Sequence, residues 1–249
     1  MKIEYIPANE EEIKNFRQLF LAEFNNQFVH DKCHYYGWST NYLLKMDNMP
    51  VGYCSSWGMN ERNIHDTIFE MYVLPSYRNY VDKLAESILQ IPGVHYIQCQ
   101  SNDPFLAEIF FQYAGNIQAE SILFQEYYQT HISKPGAVFR KRKDTDKKER
   151  DDDGPYVLEI AGEIVAHGGL LMNYNFPYAD IYMHVFERHR RKGYGALIVQ
   201  ELKKLAYESG RVPAARCNKD NIASKHTLMN AGLKPCGFIF TGEIKRKTA

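Results

Sequence analysis

Apolar positions along the chain alternate between short β-prone runs and helical spacings, so that strands and amphipathic helices are expected to follow one another. Ile3 to Ile6 reads as a first strand. Asn9, followed three residues later by Glu12, makes a capping-box start for a helix with Ile13, Phe16, Phe20 and Phe24 on one face. Tyr42 to Lys45 and Pro50 to Ser55, joined around Asp47-Asn48, predict a hairpin, and Thr67 to Val73 predicts a further strand. That strand runs into Pro75-Ser76-Tyr77-Arg78. A helix follows with Val81, Leu84, Ala85, Ile88 and Leu89 apolar, then a strand at His95 to Gln100 and a helix from Pro104 to Ala114. Arg140 to Gly154 is almost wholly charged and predicts a solvated loop. Beyond it, Tyr156 to Glu159 and Glu163 to Leu171 form a hairpin about Ala161-Gly162, and Met172 to Tyr178 is a loop into a strand from Asp180 to Phe186. Ile198, Leu202, Leu205 and Ala206 then recur at helical spacing, with Glu201, Lys203, Lys204 and Glu208 on the other faces.

The order occurs twice. Val73-x-x-x-x-Arg78 aligns with Val185-x-x-x-x-Arg190. In each case a strand feeds an Arg-containing turn and an amphipathic helix, then a strand ending in Cys99 or Cys217, then a helix ending in Ala114-Gly115 or Ala231-Gly232. The first copy has Val81 and Lys83 where the second has Gly193 and Gly195, so its backbone cannot approach an anion closely. The second copy is expected to lack the first strand and the two helices that open the first.

With 249 residues, 45% of them hydrophobic and 14% aromatic, the chain can bury a sizeable core without staples. Thirty basic residues balance thirty acidic ones, which leaves no global field for nucleic acid or an anionic membrane. No apolar run approaches a membrane span and the first residues are not signal-like, so a cytoplasmic location is expected. The five cysteines are odd in number and scattered, which argues against a disulfide framework and a zinc site.

Any anion site is therefore local, and the candidate is Arg190-Arg191-Lys192-Gly193-Tyr194-Gly195-Ala196, between a strand and a helix. A helix start leaves N–H groups unpartnered at the positive end of its dipole, and the two glycines allow close approach. Ile198 stands where a dinucleotide fingerprint needs a third glycine, and no Gly-Lys-Ser/Thr follows, so neither that fingerprint nor a P-loop is present. The pattern instead resembles the pyrophosphate loop of the GCN5-related N-acetyltransferase (GNAT) family. Asn221-x-x-Ser224, Leu228 and Ala231-Gly232-Leu233 resemble that family's next motif, so the resemblance runs from Tyr156 to Ile244.

The resemblance implies an α/β fold with a mixed α+β sheet in tandem arrangement. A degenerate copy would occupy residues 1–135, a charged linker 136–154 and an acetyl-CoA-binding copy 155–249. It implies transfer of an acetyl group from acetyl-CoA to a primary amine of a small molecule or peptide, by direct attack in a ternary complex, and it admits a homodimer. The cofactor arm would pair with the main chain of Met183, His184 and Val185. The pyrophosphate would meet residues from Arg190 to Ala196, with Asn221 and Ser224 as further contacts. Strand alternation puts Asp180, Tyr182 and His184 on one face, and Tyr182 and His184 are the candidate bases. Many family members carry a tyrosine acid where this chain has Leu228; Cys217, Tyr194 or His226 could substitute. Tyr174, Phe176 and Tyr178 form either an aromatic wall for a cationic acceptor or a cover for the core. The alternatives to an enzyme are a non-catalytic acyl-CoA sensor and an interaction protein on the same fold.

Overall fold

β1 (Ile3–Ala8) leads into Asn9, whose side chain accepts the Glu12 N–H at 3.1 Å while Glu12 takes the Asn9 N–H at 2.8 Å, closing the capping box at the start of α1 (Glu10–Glu23). A computed structural model describes residues 1–24, 26–27, 30–146, 148 and 153–246. α2 (His30–Tyr35) precedes β2 (Ser39–Met46) and β3 (Met49–Trp57), which are joined by Asp47 and Asn48 at φ of 46° and 70°. Those values are the mirror-image turn geometry that suits the strand twist. β4 (Thr67–Val73) enters a 3-10 turn (Pro75–Tyr80), then α3 (Val81–Ile88) and β5 (Tyr96–Gln100). Asp103 caps α4 (Pro104–Tyr113), which runs straight into β6 (Ala114–Glu126).

The order then recurs: β7 (Ala137–Lys141), β8 (Tyr156–Ile160), β9 (Glu163–Leu171), β10 (Tyr178–Val185), a 3-10 turn (Glu187–His189), α5 (Tyr194–Glu208), β11 (Val212–Asn218), α6 (Ile222–Asn230) and β12 (Leu233–Ile244). The repeat is thus present in the backbone, and two expectations are corrected. The second copy does have a first strand, because β7 pairs antiparallel with β8 as β1 does with β2. What it lacks, among the described residues, is the helix pair. The charged stretch is also not simply solvated: Arg140 and Lys141 end β7, and Arg140 pairs with Asp146 at 2.7 Å and Glu159 at 2.8 Å. Lys147 and residues 149–152 of that stretch lie outside the described residues.

The chain divides into two compact units, one formed by residues up to Glu120 together with those from Gly237 on, the other by Ser121–Cys236. In the first, the strand order is β1-β2-β3-β4-β5-β12, with β4 and β5 parallel and the other neighbours antiparallel. In the second it is β6-β11-β10-β9-β8-β7, with β10 and β11 parallel. The last strand of each copy therefore serves in the unit built around the other copy. Ile239 to Glu243 of β12 pair with β5, and Ser121 to Gln125 of β6 pair with β11.

The first unit has apolar clusters on both sheet faces, one with α3 and α4 (Leu84, Ile88, Phe110), the other with α1 (Ile13, Phe20). In the second, α5 and α6 cover one face, where Ile181, Cys217, Ile198, Leu202 and Leu228 form the core. Lys203, placed among the outward residues of this helix by its charge, is in fact 3% exposed. Its ammonium donates to the carbonyls of Tyr128 and Ala231 at 2.8 and 2.7 Å and sits 2.9 Å from Glu126. A buried cation with three oxygen partners is satisfied, and here it ties α5 to the end of α6.

Candidate active site

β10 and β11 are hydrogen-bonded neighbours only where Tyr178 to Asp180 face Val212 to Ala214; beyond that point the two strands have no paired positions. The parity of the ladder shows which groups face the opening. Phe186 N–H donates to Val165 on β9 at 3.1 Å, and Val212 N–H donates to Pro177 at 2.9 Å. Even-numbered positions therefore turn their main-chain groups to β9, and Ile181, Met183 and Val185 turn theirs towards the side where β11 has diverged. Met183 and Val185 thus suit an extended ligand pairing as an extra strand. His184 does not: its own main chain faces β9, opposite His167, and only its side chain remains to act.

The loop after β10 closes on α5. Gly193 is the N-cap residue at φ 83°, a left-handed conformation that any side chain would strain. The first bond of the helix runs from Leu197 N–H to Gly193 C=O at 3.2 Å, so the N–H groups of Tyr194, Gly195 and Ala196 point out of the helix start. Gly195 is needed for packing as well, since a Cβ there would stand 2.8 Å from Thr227 Cγ2 on α6. Ala196 offers only its N–H, because its methyl group is buried in the core. Arg191 and Lys192 are exposed. Arg190 braces the turn through a bond from Nε to the Val185 carbonyl at 3.3 Å, with its side chain 53% exposed.

A further cation enters from a stretch that carries no periodic signal. Gln200, 4% exposed, holds both the N–H and the C=O of Ile132, at 2.6 and 3.1 Å, and so fixes that segment against α5. Two residues on, Lys134 Nζ lies 3.6 Å from where a Gly193 Cβ would be. The loop thus gathers Arg191, Lys192 and Lys134 about one helix start, a site suited to a polyphosphate.

Asn221 is the N-cap of α6 and accepts the Ser224 N–H at 3.0 Å, so its side chain is engaged in capping. Ser224 is half-buried and hydrogen-bonds Cys217. Burial pushes the Cys217 thiol above its ordinary value, with that bond opposing, which leaves it a neutral thiol rather than a nucleophile. The loop of tyrosines is no aromatic wall: Tyr174 and Tyr178 are buried, and Phe176 alone of the three is exposed, against the Arg211 guanidinium at 5.0 Å.

The helix-free face of this sheet carries Asp180, Tyr182 and His184 on β10, His167 on β9 and Arg216 on β11, all in one alternation. Arg216 bonds the Tyr174 hydroxyl at 2.5 Å and approaches Asp180 at 3.5 Å. The Tyr182 ring leans across Gly169, whose missing side chain makes room for it: a Cβ there would lie 2.7 Å from the hydroxyl. His184 stacks on His167, with ring centroids 5.4 Å apart.

The first copy has the same turn without the same opportunity. Arg78 Nε reaches the Val73 carbonyl at 3.1 Å, as Arg190 does that of Val185, but its two terminal nitrogens both donate to Glu23 at 2.6 Å. Its helix starts at Val81 after Tyr80 at φ −109°, with no left-handed glycine. On the sheet face, Glu70 is fully buried and accepts from Tyr53 at 2.6 Å and Arg17 at 3.1 Å. Arg78 and Glu70 are thus each paired within this copy.

A strand pair that splays before a helix start, present twice in one chain and glycine-capped in the second copy, defines the tandem GNAT fold. Solved structures agree. An acetyltransferase of the GNAT family from Colwellia psychrerythraea superposes with a TM-score of 0.78 at 14% identity, over 98% of this chain and 100% of that one. A tandem GNAT protein from the clavulanic acid biosynthesis pathway, solved without AcCoA, gives 0.60 at 10% identity, over 99% and 100%. A GCN5-related N-acetyltransferase from Sphaerobacter thermophilus gives 0.58 at 11% identity, over 99% and 97%. No curated protein matches the sequence. Residues 118–232 match the model of the Acetyltransferase (GNAT) family. The stretch from β6 to α6 is therefore similar to a family of acetyltransferases.

Proposed function

We propose that the second copy is an acetyl-CoA-dependent N-acetyltransferase acting on a primary amine of a small molecule or peptide. The observation that carries this reading is the opening between β10 and β11, which presents the main chain of Met183 and Val185 in line with the Gly193-capped start of α5. Acetyl-CoA supplies the thioester carbonyl. Met183 and Val185 would hold its arm, and the N–H groups from Tyr194 to Ala196, with Arg191, Lys192 and Lys134, would hold its pyrophosphate. Such positioning of two bound reactants accounts for a large part of the rate in direct transfer.

An amine attacks only after losing a proton, so a base is required. His184 is the better of the two candidates on this face, because a neutral imidazole carries a ring nitrogen that accepts a proton readily and a neutral phenol does not. The C–N bond forms as the C–S bond breaks, and the thiolate leaves. A thiolate is a tolerable leaving group, and Leu228, 3% exposed, belongs to the core rather than the site. That same residue favours a second reading, an acyl-CoA sensor that binds without turnover.

The first measurement is the melting temperature with and without excess acetyl-CoA. At about a hundred times its dissociation constant the ligand stabilises by about 2.7 kcal/mol, or roughly 5 to 10 °C. The absence of a shift in folded protein would overturn the reading. Release of CoA in the presence of a panel of amines then separates enzyme from sensor. Lys134→Met is expected to weaken acetyl-CoA binding by about three- to tenfold and to flatten its dependence on salt, since one cation leaves the loop. An unchanged dissociation constant would remove Lys134 from the site.

A further inference from the structure

Behind His184 lies a second histidine that the transfer reaction does not itself require. His167 stands directly across the ladder on β9, and the two rings stack at 5.4 Å with 28° between their planes. His167 is 5% exposed, hydrogen-bonded at one ring nitrogen and close to a carboxylate at the other. The Gly154 N–H donates to its Nδ1 at 3.0 Å, and the carboxylate of Asp153, itself 8% exposed, lies 2.9 Å from its Nε2. Arg142 secures the other end, 3.3 Å from the second carboxylate oxygen and bonded from Nε to the Gly154 carbonyl at 3.0 Å.

This arrangement has one consistent proton assignment. A ring nitrogen that accepts from a backbone N–H carries no proton, so the proton of a neutral His167 is on Nε2, facing Asp153. A histidine ring otherwise turns freely about its last torsion, whose wells are broad. Buried, bonded at Nδ1 and beside the Asp153 carboxylate at Nε2, His167 is a fixed flat platform, and the ring stacked on it takes its orientation from that platform.

We propose that Asp153 and His167 are positioning residues that orient His184 and sustain its basicity, so that His184 accepts the proton of the incoming ammonium in the acetyl transfer proposed above. The proton leaves the substrate nitrogen for the free ring nitrogen of His184 and later passes to solvent, with no change of oxidation state. The groups facing His184 are His167 and Phe186 by ring contact, Tyr182 on its own strand, Arg216 on β11, and Asp153 with Arg142 behind His167. Asp153 neutralises Arg142 in this set. Without its charge Arg142 opposes protonation of His184.

The test needs no knowledge of the acceptor. Histidine side-chain NMR of the 15N-labelled full chain is expected to show His167 with Nε2 protonated and Nδ1 bare from about pH 6 to 8. In Asp153→Asn the Gly154 N–H still keeps Nδ1 of His167 bare, and the titration midpoint of His184 is expected to fall by about half a unit or more. Asp153→Glu should restore the midpoint. A wild-type His167 protonated on Nδ1, or charged at neutral pH, would overturn the proposal even if Asp153→Asn failed to fold. So would a His184 titration unmoved by the substitution. With an amine that is turned over, Asp153→Asn should lower kcat about tenfold at unchanged KM for acetyl-CoA. Loss of thermal stability alone, with kcat intact, would mark the pair as structural. If acetyl-CoA produces no thermal shift in wild-type protein, the functional reading fails while the NMR result still decides whether His167 is fixed in this way.

Discussion

Gly193→Asp is expected to abolish the thermal shift produced by acetyl-CoA and to raise its dissociation constant more than a hundredfold, while the free protein keeps its fold. Gly193 caps α5 at φ 83°, and aspartate is among the few residues that tolerate this conformation, at a cost of about 1–2 kcal/mol. Space is not the obstacle, since the nearest atoms to a new Cβ are Lys134 Cε and Nζ at 3.4 and 3.6 Å. The carboxylate would occupy the place of the pyrophosphate, take Lys134 as its own partner and repel an anion at close range. A hundredfold loss corresponds to about 2.7 kcal/mol, within reach of one unscreened charge in a phosphate site. Gly193→Asn, which has similar backbone tolerance and no charge, should lose far less. Equal losses in the two variants would mean that strain rather than charge disables the loop, and full binding by Gly193→Asp would place the pyrophosphate elsewhere.

A chain ending at Cys236 is expected to lose the cooperative folding of its first unit, although every residue removed follows the second copy's helices. Ile239 to Glu243 are the antiparallel partners of Gln100 to Tyr96. Ile239 is 2% exposed, and Phe240 stacks on Phe110 at 6.1 Å. Each of two large apolar side chains contributes about 1.5–3 kcal/mol by burial, and each backbone bond about 0.5–1.5 kcal/mol net. Together these approach the whole stability of an ordinary domain, about 5–15 kcal/mol. The truncation also leaves β5 as a bare edge, which invites aggregation. Calorimetry and solubility of the shortened chain are the measurements. A soluble product with an unchanged melting temperature would show that β12 is not needed where the fold places it.

The legible parts of the fold are those set by neighbours in sequence. The capping box at Asn9 and Glu12, the Asp47-Asn48 turn and the Thr67–Val73 strand depend on residues a few positions apart, and each stands where its pattern predicts. The strand ahead of the loop starts two residues earlier and ends one residue earlier than its β-prone stretch suggests, and at its start Tyr178 and Ala179 already pair with β11. The glycine loop was legible for the same local reason, a turn that needs a left-handed residue before a helix. Lys203 was misplaced because charge usually marks an exposed face, and only the three oxygens that surround it explain its burial.

Sequence alone determined the helices other than α2, most strands, the repeat and the glycine-capped turn before α5, because helix caps, turns and apolar periodicity act over one or two turns of chain. Tertiary structure alone decided which strands are partners across long separations, and therefore that β6 and β12 each complete the unit of the other copy. It also brought Lys134 to Gly193 through Gln200, and Asp153 to His167, from charged or unpatterned segments. Strand pairing and side-chain convergence depend on distance in space, which no local spacing encodes, so the glycine-capped loop could be read in advance and the side chains gathered beside it could not.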